Sequence, residues 1–311
     1  MNADILSLVG HTPMVELKGC SPKQGIRLFA KLEGQNPSGS VKDRIVAFIL
    51  KRALSEGHLA PGQEIVEAST GNTGIALAMI GRRLGHPVRI LVPDNAFGDV
   101  IQTLTALEAR VELVPARLGI KSAIDAAHEI AHRDGSFLLN QFGSENNARC
   151  HYETTGHEVI EQLPSLDVFV CGLGTSGTAM GVGKRLKEHN PAIKVVAAEP
   201  QPGQQLQGLR SLDDGYMPPI FDSSGLDGKI VVSSANAFRA VRELLRREAI
   251  LAGLSSGAVL HAALKWCQRM ERGNVVMLFA DSGWKYINSP AFRLDEQMDA
   301  GREELDEVLW W

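Results

Sequence analysis

The chain has 311 residues, of which 22% are charged, and a formal net charge of -4. A chain of that size can bury a large core in one large or two medium domains, and without a basic field it is a poor partner for nucleic acid or an anionic membrane. Four cysteines (Cys20, Cys150, Cys171, Cys267) show no C-x-x-C spacing and nine histidines form no metal-ligand motif, which argues against a disulfide framework and against metal catalysis. The start, Met1-Asn2-Ala3-Asp4-Ile5-Leu6, lacks the basic and apolar regions of a secretion signal. No later stretch is apolar enough to span a bilayer, so the chain reads as cytoplasmic.

Residues 1–27 hold a short apolar start, the Gly10-His11-Thr12-Pro13 turn and a polar loop, followed by a strand at Leu28-Phe29-Ala30-Lys31-Leu32. The turn formers Asn36-Pro37-Ser38-Gly39-Ser40 lead into Val41-Lys42-Asp43-Arg44 and an apolar run to Leu50, which predicts a helix with Lys42 at its start. Strands at 64–67, 88–92, 111–114 and 136–139 alternate with helices at 75–84, near 99–107 and across 121–132. The second half repeats the rhythm with a helix around 151–162, a strand at 168–171, a helix ending at His189 and a strand at 194–198. Residues 200–229, rich in Gln, Gly, Pro and Asp, read as a long irregular segment of the kind that lines a site. Helices at 236–247 and 256–268 and a strand at 275–279 complete the core. In the acidic tail, Glu303 to Glu307 read as a solvated helix face, before the apolar end Leu309-Trp310-Trp311. The alternation, with mostly apolar strands, predicts an α/β fold of two parts, with mainly parallel sheets flanked by helices and a cleft between them.

Three loops carry the chemistry. A lysine at the positive end of a helix tends towards the neutral, nucleophilic amine that forms a Schiff base, and Lys42 holds that position. Gly172-Leu173-Gly174-Thr175-Ser176-Gly177-Thr178 follows a strand and opens a helix, so its N–H groups and hydroxyls can surround a phosphate. It fails as a dinucleotide fingerprint because Thr178 replaces the third glycine, and as a nucleotide loop because it lacks a Gly-Lys-Ser/Thr ending. Several hydroxyls and no lysine suit a phosphate monoester. The loop Ser69-Thr70-Gly71-Asn72-Thr73-Gly74 suits a carboxylate, although a plain turn capped by Thr70 or Asn72 would look the same. An aldehyde-reactive lysine, a phosphate cradle and a carboxylate cradle together describe pyridoxal phosphate holding an amino acid.

With Gly253-Leu254-Ser255-Ser256-Gly257, these loops resemble those of the cysteine synthases, O-acetylserine or O-phosphoserine sulfhydrylases of the fold-type II pyridoxal-phosphate enzymes, in order over nearly the whole chain. The resemblance implies a tryptophan-synthase-β-like fold, with 37–142 as a smaller mobile domain and 1–36 with 143–311 as a larger cofactor-binding domain, assembled as a homodimer. It implies that Lys42 forms the Schiff base with pyridoxal 5'-phosphate and later takes the substrate's α-proton, and that Asn72 bonds the cofactor's 3′-oxygen. Gly174, Thr175, Ser176, Gly177 and Thr178 would hold its phosphate, and Ser255 would meet its ring nitrogen. A neutral hydroxyl there makes a weaker electron sink, which suits β-elimination and replacement better than transamination. Ser69, Thr70, Thr73 and Gln141 match contacts to the substrate carboxylate. The implied reaction is a transferase's: an O-activated serine loses its β-substituent, and the resulting aminoacrylate takes sulfur from sulfide, thiosulfate or a thiocarboxylated carrier protein.

Three positions depart from the family pattern. Ser69-Thr70 exchanges two hydroxyls, Ala96-Phe97-Gly98-Asp99-Val100 replaces a Ser-x-Glu-Arg-Arg helix start, and Glu108 stands where a glycine is usual. The segment from Glu199-Pro200 to Leu209-Arg210, with Gly215-Tyr216, resembles the B type of the family. There Arg210 could recognise the phosphate of O-phosphoserine or an anionic sulfur donor, against the alternative of a solvated surface arginine. The apolar end resembles tails that fold towards the site in synthases using O-phosphoserine. Cystathionine β-synthase, a diaminopropionate-forming enzyme and a serine/threonine dehydratase would share the cofactor loops, as would a non-catalytic binding protein on the same fold.

Overall fold

In the computed structural model, which describes residues 4–96, 98–204, 206–292 and 307–309, the apolar strands collect into two separate sheets. The larger has seven strands in the order β1 (Met14–Glu16), β2 (Ile26–Leu32), β10 (Gly273–Phe279), β7 (Val168–Gly172), β8 (Lys194–Pro200), β9 (Gly228–Val232) and β11 (Glu307–Leu309). Its inner strands are parallel, and β1 and β11 close its edges antiparallel. The smaller sheet is parallel, in the order β5 (Arg110–Val114), β4 (Val88–Pro93), β3 (Ile65–Ala68) and β6 (Phe137–Leu138). β3, β4 and β9 are buried along their whole length, and for β3 and β4 this is why they read as mostly apolar runs rather than alternating ones.

Helices cover both sheets. α1 (Lys42–Ser55), α2 (Asn72–Arg83), α3 (Gly98–Ala106) and α4 (Gly119–Asp134) pack with the smaller sheet in two apolar clusters. Against the larger one pack α6 (Thr155–Gln162), α7 (Gly177–His189), α8 (Ser234–Glu248) and α9 (Leu254–Cys267). α5 (Glu145–Glu153) touches both α1 and α7 and so ties the two halves together. Among the described residues no helix is long and apolar enough to cross a membrane.

Three sequence expectations change and one departure gains an explanation. The single helix expected around 151–162 is two, starting earlier at Glu145 and breaking at Thr154, whose hydroxyl donates back to the Cys150 carbonyl at 2.8 Å. The segment 200–229 is shorter than expected: Pro200 still belongs to β8, and β9 begins at Gly228. Glu307 belongs to a strand, β11, paired with Lys229–Val231 of β9, and not to a helix face; Glu303, Glu304, Trp310 and Trp311 lie outside the described residues. Glu108 takes a left-handed φ of 60°, which explains the family's glycine there: glycine holds that conformation without steric cost, and here an ion pair with Arg82 accompanies the strained residue.

A buried ion cluster fixes the helix that begins at Lys42. Arg44 of α1 donates to Glu33 at 2.6 and 2.8 Å and to Glu158 of α6 at 2.6 and 2.8 Å, while Lys31 of β2 donates to Glu158 at 2.6 Å and to the Thr12 carbonyl at 2.6 Å. All four side chains are buried, so each charge needs its partner in place. The cluster sets the position of α1 against the large sheet.

Candidate active site

The loop before α1 lies against the end of β10. Val41 N–H donates to the Ala280 carbonyl at 2.8 Å, Ser40 bridges to Asp281, and Ser38 N–H is held by the Asp43 carboxylate at 2.7 Å. Pinned at both sides, Lys42 points into the cleft between the sheets. Burial pushes its amine down to about 8, against the opposing pull of the Asp281 carboxylate. The helix end was expected to depress this amine; burial is the principal cause.

Ahead of α2, the polar groups are largely consumed inside the loop. Ser69 Oγ accepts from the N–H groups of Gly71 (3.2 Å) and Gly74 (2.9 Å), thereby capping the helix. Thr73 Oγ1 donates to Gln141 Oε1 at 2.6 Å, and Gln141 Nε2 donates to the Ala68 carbonyl at 2.9 Å. Thr70 and Asn72 face the cleft.

Ahead of α7 the situation is different. Ser176 holds a left-handed φ of 69°, and its buried Oγ has no hydrogen-bond partner among the described residues. A Cβ on Gly174 would sit 2.7 Å from the Gly208 carbonyl, and one on Gly177 would sit 1.9 Å from Asn147 Oδ1, so only glycines allow this loop to close. Asn147 Nδ2 donates to Thr175 Oγ1 at 2.9 Å and to the Gln141 carbonyl at 2.7 Å, which links the two loops. Thr178 Oγ1 lies 3.2 Å from His151 Nε2; burial, then the charges of Lys42 and Arg44, hold that buried imidazole well below its usual range and keep it neutral. An orphan hydroxyl and the free N–H groups of a helix's first turn fit a phosphate monoester.

Lys42, Asn72, Gly174 and Thr175 line both ends of the cleft. Ser69, Thr70, Thr73, Gln141 and Arg210 gather at one end, and Ser176, Thr178 and Ser255, near the start of α9, at the other. Of the expected residues Gly177 alone is set back, packed on Asn147. Arg210 is not a solvated surface residue: its guanidinium lies 5.5 Å from the Phe142 ring centre, and burial draws its pKa down against the pull of Asp214 and Tyr216. Among the lining residues of that end the charged ones are Lys42, Arg210 and Lys285, all cations.

Sequence reasoning missed Glu67, Asn147, Asp281, Lys285 and Tyr286. Glu67, buried at the end of β3, is pushed up to about 7 by burial, with the Gln141 backbone N–H 3.4 Å away. A glutamate inside the apolar run Ile65-Val66-Glu67-Ala68 was the available signal for it. For Asp281, Lys285 and Tyr286 the signal was their place just beyond a parallel strand's carboxyl end, where α/β proteins build sites.

The model of the family described as "Pyridoxal-phosphate dependent enzyme" matches residues 5–281, and the chain belongs to that family of cofactor-dependent enzymes. Relatives within it include cysteine synthases. Cysteine synthase B of Pseudomonas aeruginosa is 36% identical over 289 residues, which are 93% of this chain and 97% of that protein; its Escherichia coli counterpart is 36% identical over 285 residues, covering 91% and 94%. Among solved structures, O-ureido-L-serine synthase superposes with a TM-score of 0.90 at 32% identity, covering 95% of this chain and 97% of that one.

Proposed function

We propose that the chain is a cysteine synthase, a transferase that exchanges the β-substituent of an O-activated L-serine for sulfur. The observation that carries this is the two-ended cleft, in which one lysine faces both a phosphate-ready cradle and a cation-lined chamber with no acidic lining residue. Pyridoxal phosphate, when bound, supplies an aldehyde for the amine and a ring that delocalises charge from the substrate's α-carbon. Ser176, Thr178 and the first turn of α7 would hold its phosphate, Asn72 its ring oxygen, and Ser255 its ring nitrogen as a neutral partner. Lys42, with an amine poised near 8, would take and return the α-proton. Thr70, Thr73 and Gln141, with the Ser69 backbone, would hold the amino-acid carboxylate. Residues 37–142 would close over the bound substrate as a smaller mobile domain, in a cytoplasmic homodimer.

The cations at the substrate end favour an anionic leaving group, so we infer O-phosphoserine as the preferred substrate, recognised by Arg210, with sulfide, thiosulfate or a protein thiocarboxylate as donor. Losing a charge-assisted arginine–phosphate contact costs about 2–3 kcal/mol, roughly thirty- to a hundred-and-fiftyfold in kcat/KM. Arg210→Ala is expected to lose that much with O-phosphoserine and little with O-acetylserine. Equal slowing of both substrates would make Arg210 structural. For the reaction class itself, Lys42→Ala protein is expected to lose both turnover and the borohydride-reducible link to the cofactor; a mutant that keeps the link sinks the assignment.

A further inference from the structure

Asn72 faces the cleft at both ends, and its amide is held by a cation and an anion. Lys285 Nζ donates to Asn72 Oδ1 and, at 3.4 Å, to the Gly39 carbonyl. Asn72 Nδ2 donates to Asp281 Oδ2 at 2.7 Å; the same oxygen accepts from Tyr286 OH at 2.6 Å and lies 3.8 Å from Lys285 Nζ. An ammonium can only donate and a carboxylate can only accept, so the orientation of this amide is dictated by its neighbours. Its nitrogen carries two hydrogens: Asp281 accepts one, and the amide also hydrogen-bonds the Tyr286 hydroxyl.

Lys285 does not reach this position by chance of a surface rotamer. Gly283 N–H donates to the Leu251 carbonyl at 2.8 Å, and a Cβ on Gly283 would meet the Ala252 carbonyl at 2.8 Å, so the turn after β10 is held close against the start of α9. Trp284 projects outward, 72% exposed, while Lys285 turns in to the cleft.

We propose that Lys285 is a positioning residue: with Asp281 and Tyr286 it locks the Asn72 amide in one orientation, from which the N–H shared with Tyr286 can turn to the cofactor's ring oxygen. This rests on the reading of Asn72 as a cofactor contact. The chain of bonds also polarises the amide, because each donor is strengthened by what its own acceptor side receives.

The holoenzyme tests it through two readouts other than turnover, the dissociation constant for pyridoxal phosphate and the position of the long-wavelength cofactor absorbance. Lys285→Met is expected to weaken cofactor binding about tenfold, the size of one lost hydrogen bond to a charged group, and to shift the absorbance. Lys285→Arg, which keeps a cationic donor, restores both. Asn72→Ala has at least the effect of Lys285→Met, and combining the two adds nothing further, since the lysine acts through the amide. If Asn72→Ala leaves both readouts unchanged, the reading of Asn72 itself fails. If Asn72→Ala acts and Lys285→Met does not, or if Lys285→Arg fails to restore, the positioning role alone is overturned. A full effect of Lys285→Met in the Asn72→Ala background would make the lysine a direct ligand contact and overturn it equally.

Discussion

Two glycine-and-hydroxyl loops, Ser69–Gly74 ahead of α2 and Gly172–Thr178 ahead of α7, draw on the same residue types and dispose of their polar groups differently. In the first, Ser69 caps its own helix and Thr73 is bonded to Gln141. In the second, Ser176 Oγ is buried without a partner among the described residues. A group that is already satisfied must exchange one bond for another to take a ligand, whereas an orphan gains outright. On the proposed reading the α7 loop would be the preorganised anion site. The α2 loop would have to rearrange, which would suit a site that fills and empties with each turnover, and Asn147 ties the α7 loop to Gln141, the partner of Thr73.

The largest expected effect concerns Lys42, which faces both loops. An amine at about 8 is neutral far more often at pH 7 than an ordinary lysine near 10.4, by roughly 200-fold, and the neutral form is the nucleophile. Coupling of pyridoxal phosphate to apoprotein should rise with pH and reach half its plateau near pH 8; a midpoint above 10 would remove burial as the cause. Next comes the preorganised loop. In Gly177→Ala the new Cβ overlaps Asn147, so either loop or asparagine must shift, at about 1–3 kcal/mol. Cofactor affinity should fall accordingly, and unchanged affinity in a titration would show that the loop has slack. Gln141→Ala sharpens the contrast from the other side: amino-acid binding should weaken by about 1.5–3 kcal/mol while cofactor affinity holds. Equal losses in both would mean that Gln141 acts through Asn147 on the α7 loop.

The smallest effects discriminate best. Ser69→Ala removes a helix cap and should lower the apoprotein's stability by about 1 kcal/mol in denaturant unfolding. Ser176→Ala removes a hydroxyl with no hydrogen-bond partner among the described residues, so it should leave apoprotein stability unchanged and weaken cofactor binding by about 1 kcal/mol. If the two variants behave alike, the distinction between the loops is lost.

Local chemistry in this chain was readable where it repeats in sequence. The strand–helix alternation, the start of α1 at Lys42 and the end of α2 before Gly85 follow from periodicity and turn residues, and the structure has them all. β9 escaped because Gly228 and Lys229 blur its edge after a stretch rich in Gly, Pro and Asp, and because its apolar residues number too few to stand out. The break at Thr154 depends on a hydroxyl returning to the Cys150 carbonyl, which periodicity does not register. At the site, the loops declared themselves because glycines and hydroxyls cluster in sequence. Lys285, Asp281 and Asn147 did not, because each meets its partner across a long separation that only the sheet order creates. Glu108 was visible as an anomaly, and its φ supplied the reason.

The buried cluster of Arg44, Lys31, Glu33 and Glu158 gives the protein an acid limit. Burial alone would raise the Glu158 carboxyl, but the hydrogen bonds and charges of Arg44 and Lys31 outweigh it and bring it to about 2. A carboxyl depressed in the folded state contributes stability that is complete above its unfolded value near 4.3 and vanishes as pH falls through 2, roughly 3 kcal/mol over that window. Protons thus compete with two cations for one carboxylate. Because that carboxylate holds α1 to the large sheet, acid should release the helix bearing Lys42. Hydrogen exchange at the start of α1 should accelerate below about pH 4 ahead of the β7–β8 core; simultaneous loss of both would show that the cluster is no separate acid-sensitive tie.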